Sequence, residues 1–453
     1  MPLPKPGLAG TILAQELRGL LAAPSLWLMF AVLAMLTGYS FIQAVHLYGE
    51  ASRTALAYPE MAAGLHPLDG VFIPTFGACY LAETLLMPFV AIRVVGLDKQ
   101  SQTLKLLLQL PCSPARFVGL KGTAMFLAWL TSLVPAALAL FFWHHLGGHI
   151  FWPEILAILL GHALYVLVII TLSLAAATIS SSLPTAAMLC LAVTLGFWAL
   201  DFAASSQGAL LDLLKKFSLP SLLRQCETGL ILPETVGAFL ALGLFFFLLA
   251  SIFLHPGQGR SRQIWFSAAT LLGAGLLFAV TVNLPGFLDL TETRRHSLPP
   301  EISQALRRIK GPIRITLHLR PEDSRRQDLE QGLLARLQRT LPNLQISSTA
   351  DGQSMFAASE ESDYGLIEYE YQGRHDQSYS NSSEDILTIL FGLARLKMPP
   401  RQTSAAQGYP LVADAGAARW WFYLVLPLVC LGGFLLFRNG PPFSTMQQKE
   451  PNP

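Results

Sequence analysis

Apolar residues run in eight stretches, each near the roughly 20 residues that a helix needs to cross a hydrocarbon core. They are about Leu26 to Val45, Phe72 to Gly96, Gly122 to Trp143, Ile155 to Ala177, Thr185 to Ala203, Thr235 to Leu254, Ile264 to Leu284 and Trp420 to Phe437. Between the last two the pattern changes: charge is dense from Asp289 to Arg401, and apolar positions recur at helical or alternating spacing. Two solvents therefore act on one chain. The pattern predicts an α-helical polytopic membrane protein of about eight transmembrane helices, with a small α/β extracytoplasmic domain inserted before the last.

Within the insert, Ile302, Leu306 and Ile309 mark a helix over Leu298 to Lys310 that Gly311-Pro312 stops. Ile313 to Leu319 alternates as a half-buried strand, and a helix over Ser324 to Thr340 leads to a strand over Leu344 to Ser348. Asp363 to Tyr371 and Gly373 to Tyr379 read as a hairpin hinged near Gln372-Gly373, followed by a helix over Ser383 to Lys397 capped by Ser382 or Ser383. A small mixed sheet covered by helices is expected, thioredoxin-like in outline and without redox chemistry, because the insert has no cysteine. Residues 401–419 are rich in Pro, Gly, Ala and Ser and read as a linker.

Ahead of the first span, Ile12, Leu13, Leu17, Leu20 and Leu21 recur at helical spacing with Gln15, Glu16 and Arg18 between them, which predicts an interfacial helix within residues 1–25. No compact apolar core with a small-residue cleavage site precedes it. With the N-terminus inside, the short inside segments carry eleven Lys/Arg and the short outside loops four, so both termini are expected in the cytoplasm, with a tail at 438–453, and about 285–419 outside.

Composition agrees: 52% of residues are hydrophobic and 13% charged, against roughly 25% charged in soluble domains. A net charge of +2 and the lack of a basic stripe with interleaved aromatics argue against nucleic acid. Five cysteines without a CxxC or an outside pair support neither disulfides nor zinc. His144, His145 and His149 have no carboxylate or thiolate beside them and read as interfacial rather than metal-binding, so no metal is expected. No GxxxxGK[ST] occurs, so any nucleotide-driven work needs a partner.

The inside loop from Asp98 to Lys121 pairs a short amphipathic segment with a Pro stop, which suits docking to a cytoplasmic protein or an ordinary re-entry loop. In it Asp98, Thr103, Leu104, Leu107, Leu110, Pro111, Ser113 and Lys121 resemble the coupling-helix region of ABC-2 type permeases, with Arg116 in the same loop. Gln102 stands where that pattern has Gly, and Lys105 where it has Glu. Glu16, Arg18 and the run to Pro24 and Trp27 resemble the start of the gliding-motility (Gld-type) branch. The join Asp289-Leu-Thr291-Glu-Thr-Arg294-Arg295-His-Ser297-Leu298 is similar to the entry of that branch's auxiliary subunit, as is Ser383 to Leu390 to a later helix.

The resemblance implies a six-helix permease over 26–254, a linker and seventh helix over 255–284, a shortened auxiliary domain over 285–400 and an eighth helix over 420–437. It further implies a bacterial inner membrane, a separate cytoplasmic ABC ATPase that binds the ATP and Mg, and a homodimer or heterodimer of permeases. The chain itself is expected to hold no cofactor and to be no enzyme. Relay of motion to a periplasmic or envelope partner, without transport, is the alternative.

Charge inside a span costs roughly 2.5 to 3.5 kcal/mol on insertion scales. Glu83, Arg93 and His162 therefore form a candidate intramembrane polar site. Against it stand interfacial snorkelling for Arg93, an end-of-span position for Glu83 and plain packing for His162. Asp212 to Pro233 is expected to hold short re-entrant helices before the sixth span.

Overall fold

The computed structural model describes residues 8–107, 109, 112–202, 213–255, 257–309, 311–320, 323–341, 343–348, 364–399 and 408–438. The described residues fall into two compact units: those within 8–198, 219–285 and 408–438 form one, and those within 199–202, 213–218 and 286–399 the other.

The first unit is helical. An amphipathic α1 (Leu8–Ala22) precedes α2 (Pro24–Ala57), α3 (Leu68–Gln100), the short α4 (Thr103–Leu107), α5 (Pro114–His145), α6 (Trp152–Ile179) and α7 (Leu183–Phe202). Then follow α8 (Leu219–Glu227), α9 (Pro233–Leu254) and α10 (Arg260–Val282). Eight helices among the described residues are long and apolar enough to cross a membrane: α2, α3, α5, α6, α7, α9, α10 and one near the C-terminus, Ala418–Arg438. Each contains most of one expected span. The helix α5 starts eight residues before its predicted span and breaks at Leu133, because Pro135 has no N–H to continue the ladder.

At the centre stands α6. Its apolar window is 67% buried, against 6% for α10 and for Ala418–Arg438, most of whose side chains are exposed. It packs on α3, α5, α8 and α9.

Residues 408–417, in the expected linker, are not loose. The Tyr409 N–H donates to Leu65 O (2.9 Å), Tyr48 Oη to Tyr409 O (2.7 Å) and the Leu411 N–H to Ser52 Oγ (2.9 Å). His149 stacks on Tyr409 at 3.9 Å, and Phe422, in the following helix, is wholly buried where Gly38 leaves room for its ring. This part of the chain is a strap across the ends of α2 and α3. Residues 401–407 and 439–453 lie outside the described residues.

The second unit runs α11 (Pro300–Leu306), β1 (Ile313–Leu317), α12 (residues 324–340), β2 (Leu344–Ser348), β3 (Ile367–Tyr371), β4 (Arg374–Ser378) and α13 (Ser383–Leu393), followed in the first unit by α14 (Ala418–Arg438). The sheet order is β2-β1-β3-β4, with β1 parallel to β2 and antiparallel to β3, and β3 antiparallel to β4. Gln372 and Gly373 both take positive φ, as a two-residue hairpin turn requires, and Ser382 caps α13 by accepting the Glu384 N–H. Inward residues of β1 and β3 meet Leu333, Leu337, Ile386 and Leu390 in one core. The leading helix starts at Pro300 rather than Leu298, since the two prolines cannot extend it backwards, and it ends at Leu306.

Candidate functional site

Two buried polar clusters interrupt the apolar interior of the first unit. The first joins α1, α3 and α5. Lys121 is fully buried, and its Nζ donates to Glu16 Oε1 (2.6 Å), Asp98 Oδ2 (2.7 Å) and Val94 O (3.0 Å), with the Phe117 ring 4.9 Å away. Burial pushes the Glu16 carboxyl up, outweighing the pull of the Lys121 charge and hydrogen bond. Beside it, Lys99 Nζ donates to Thr178 O and Ser180 O, satisfying carbonyls left open at the end of α6. The end of α3, the start of α5, the end of α6 and the helix α1 are thus tied together by two ammonium groups.

These bonds change where several loop residues belong. Asp98 lies on α3 rather than in a connecting loop, and Lys121 is buried beneath the connection instead of being displayed on it. Gln102 takes φ 60°, the left-handed region that favours glycine, and this turns the chain from α3 into α4. Thr103 is exposed, with its hydroxyl 2.6 Å from Ser101 Oγ, Leu104 is half-buried and Leu106 is 65% exposed. Ser113 caps α5 by accepting the Arg116 N–H, and the Arg116 side chain is exposed, as is Arg18 on α1. Leu110, Pro111 and the side chain of Leu107 lie outside the described residues.

The second cluster sits around α6. Glu83 Oε2 lies 2.9 Å from His162 Nδ1, Glu227 Oε1 lies 3.2 Å from His162 Nε2, and Trp129 Nε1 donates to Glu83 Oε1 at 2.7 Å. All four are buried, with His162 wholly so. The elements explain the meeting. Leu219, Leu222, Leu223 and Cys226 form the buried stripe of α8, and Glu227 falls at the next position of that stripe. Gly161 on α6 lets α8 approach closely, since a Cβ there would stand 2.5 Å from Cys226 Cβ.

One helical turn away the Thr84 hydroxyl meets Tyr165 Oη at 2.6 Å. Of the expected polar trio, Glu83 and His162 come together. Arg93 is left out, half-buried and about 15 Å further along α3 by helical rise.

A neutral imidazole has one N–H, and here each ring nitrogen faces a carboxyl oxygen. Filling both contacts takes one proton per contact, either as an imidazolium between two carboxylates or as a neutral ring between one carboxylate and one protonated carboxyl. Both arrangements leave one net negative charge, which the Trp129 N–H helps to offset. Because the carboxyls approach opposite nitrogens, the three groups do not converge on a point where one ion could be ligated.

In the second unit, Asp289 organises the turn before α11. Its Oδ1 accepts the Thr291 N–H and hydroxyl, and its Oδ2 accepts the His296 N–H (3.0 Å) and the Ser297 hydroxyl (2.6 Å). Burial opposes its charge, but the Ser297 and Thr291 hydrogen bonds win and hold the carboxyl below its usual value. Arg294 takes φ 50° within this turn, the Arg295 N–H donates to Thr291 Oγ1, and Leu298 anchors the turn in the core.

Sequence reading missed Glu227 and Trp129. The signal for Glu227 was a lone carboxylate continuing an apolar stripe, whereas Trp129 looked like any other apolar residue of its span. No family model, no curated protein and no solved structure matches this chain.

Proposed function

We propose that this chain is a multi-pass membrane protein, the permease subunit of an ABC-2 type transporter driven by a separate cytoplasmic ATPase and paired with a second permease chain. In this reading α1, α4 and both termini face the cytoplasm, the mixed-sheet unit lies outside, and the outward apolar faces of α10 and α14 meet lipid. The observation that carries it is the Lys121 clamp. A partner pressing on the exposed α4 would move α3 and α5, and Lys121 ties both to α1. The left-handed backbone at Gln102 supports the reading further, since it falls where the coupling-helix pattern has glycine.

A second reading, relay of motion to an envelope partner without transport, draws on the strap over 408–417, which fastens the approach to α14 onto the ends of α2 and α3.

Co-purification of the full chain with co-expressed candidate ATPases, with and without nucleotide, tests the proposal. A nucleotide-dependent complex that Leu106→Asp abolishes is expected. If no ATPase associates in any nucleotide state, the proposal fails.

A further inference from the structure

We propose that Glu83, His162 and Glu227 form a proton-binding site whose occupancy latches α8 onto α6. The helix α8 has nine residues, too few to hold itself together without packing. It is held by its apolar stripe, by the Thr235 hydroxyl that donates to Gln225, and by the tie from Glu227 to His162. With one proton in each ring contact, both ties are made. Removing one leaves a neutral ring with a single N–H, and its bare nitrogen then faces a carboxylate, lone pair against lone pair.

The tie that breaks is the one to Glu227. Glu83 is nearer, at 2.9 Å against 3.2 Å, and the Trp129 N–H holds its other oxygen in place. Loss of the proton therefore frees the end of α8, which leads directly into α9, while Glu83 stays where it is. The ligand is the proton itself, and its departure loosens one short helix rather than the whole unit.

Other titratable groups lie on the elements packed around the site: Cys79 and Tyr80 on α3, Glu154 and Tyr165 on α6, Arg224 and Cys226 on α8, and Glu234 on α9. A base-induced opening belongs to the latch only if it disappears when a latch carboxyl is made an amide. Glu227→Gln does this without removing the tie, because an amide N–H can donate to the unprotonated ring nitrogen. Glu83→Gln acts in the same way from the other side, leaving the remaining N–H for Glu227.

The test is hydrogen exchange of residues 219–227 in the purified full chain, corrected for intrinsic rates, from about pH 5 to about pH 11, since carboxyl neighbours hold a proton on a ring beyond neutrality. Wild type should lose protection about tenfold or more as the pH rises. Glu227→Gln and Glu83→Gln should remain protected throughout, and either variant suffices if the other fails to fold. Constant protection in wild type, or the same base-induced loss in a folded amide variant, would overturn the proposal. No ATPase enters the measurement, so its outcome and that of the partner reading are separate.

Discussion

Both buried clusters set a cation-forming side chain between two carboxyls, yet they differ in the central group. Lys121 joins Glu16 and Asp98 through one ammonium group, and both carboxyls keep some exposure, 17% and 25%. His162 joins Glu83 and Glu227, which are nearly as buried as the ring itself, and an imidazole that gives up one proton keeps a single N–H for two partners. The same geometry therefore gives a fixed clamp at one end of the helices and a latch that answers to protons at α6. Burial raises the consequence of each change, because an unpaired charge inside costs more than one in water.

The sharpest way to break this contrast is to remove the fixed cation. Lys121→Met leaves two carboxylates facing one another and should destabilise the chain by about 3 kcal/mol, lowering its thermal midpoint in detergent. Adding Glu16→Gln and Asp98→Asn should recover most of the loss, since a wholly apolar or neutral replacement is tolerated where a broken pair is not. An unchanged midpoint in the single variant would show that the clamp holds nothing.

Crowding α8 should have the next largest effect. Gly161→Ala pushes a Cβ against Cys226 and should cost about 1 to 3 kcal/mol. Faster exchange confined to residues 219–227 would report it, and Cys226→Gly in the same chain should restore protection. Asp289 offers a comparison outside the helical unit. Asp289→Asn should weaken the turn before α11 by about 1 to 2 kcal/mol at neutral pH. Because the folded carboxyl is held below its ordinary 3.8, its stabilisation is complete above that value and is lost as the pH falls through the lower folded one. Exchange at residues 294–298 should show this acid dependence in wild type and not in the variant.

Glu16→Gln should change least, by under about 1 kcal/mol, since burial already penalises that carboxylate. The sign is opposite to that of Asp289. The Glu16 carboxyl titrates above its ordinary 4.5, so its contribution is complete below that value and is lost as the pH rises through the folded one. Thermal midpoints of Glu16→Gln should lack that decline.

Hydropathy was sufficient to locate all eight long helices, because about 20 apolar residues in a row have few other uses. Alternation and turn residues likewise located the strands from Ile313 to Ser378 and the hinge at Gln372-Gly373. Helix ends were less legible. The helix α5 reaches back to Pro114 because Ser113 caps it, and α3 carries on through Asp98 to Gln100, since charged residues extend a helix past the apolar stretch. Least legible were the clusters. Glu83 and His162 stood out as polar residues in apolar runs, but Glu227 joins them only because Gly161 admits α8, a contact between positions 65 residues apart in sequence. The strap at 408–417 was hidden for a related reason: its bonds are made by backbone groups, which any sequence would supply.

One hydrogen-exchange series on the wild-type chain, reading Leu8–Ala22 and residues 219–227 in the same samples from about pH 5 to about pH 11, compares the two clusters directly. The account predicts that rising pH releases residues 219–227 while Leu8–Ala22 loses no more than the small Glu16 contribution, under about 1 kcal/mol. Release of both segments together, or of neither, would contradict it.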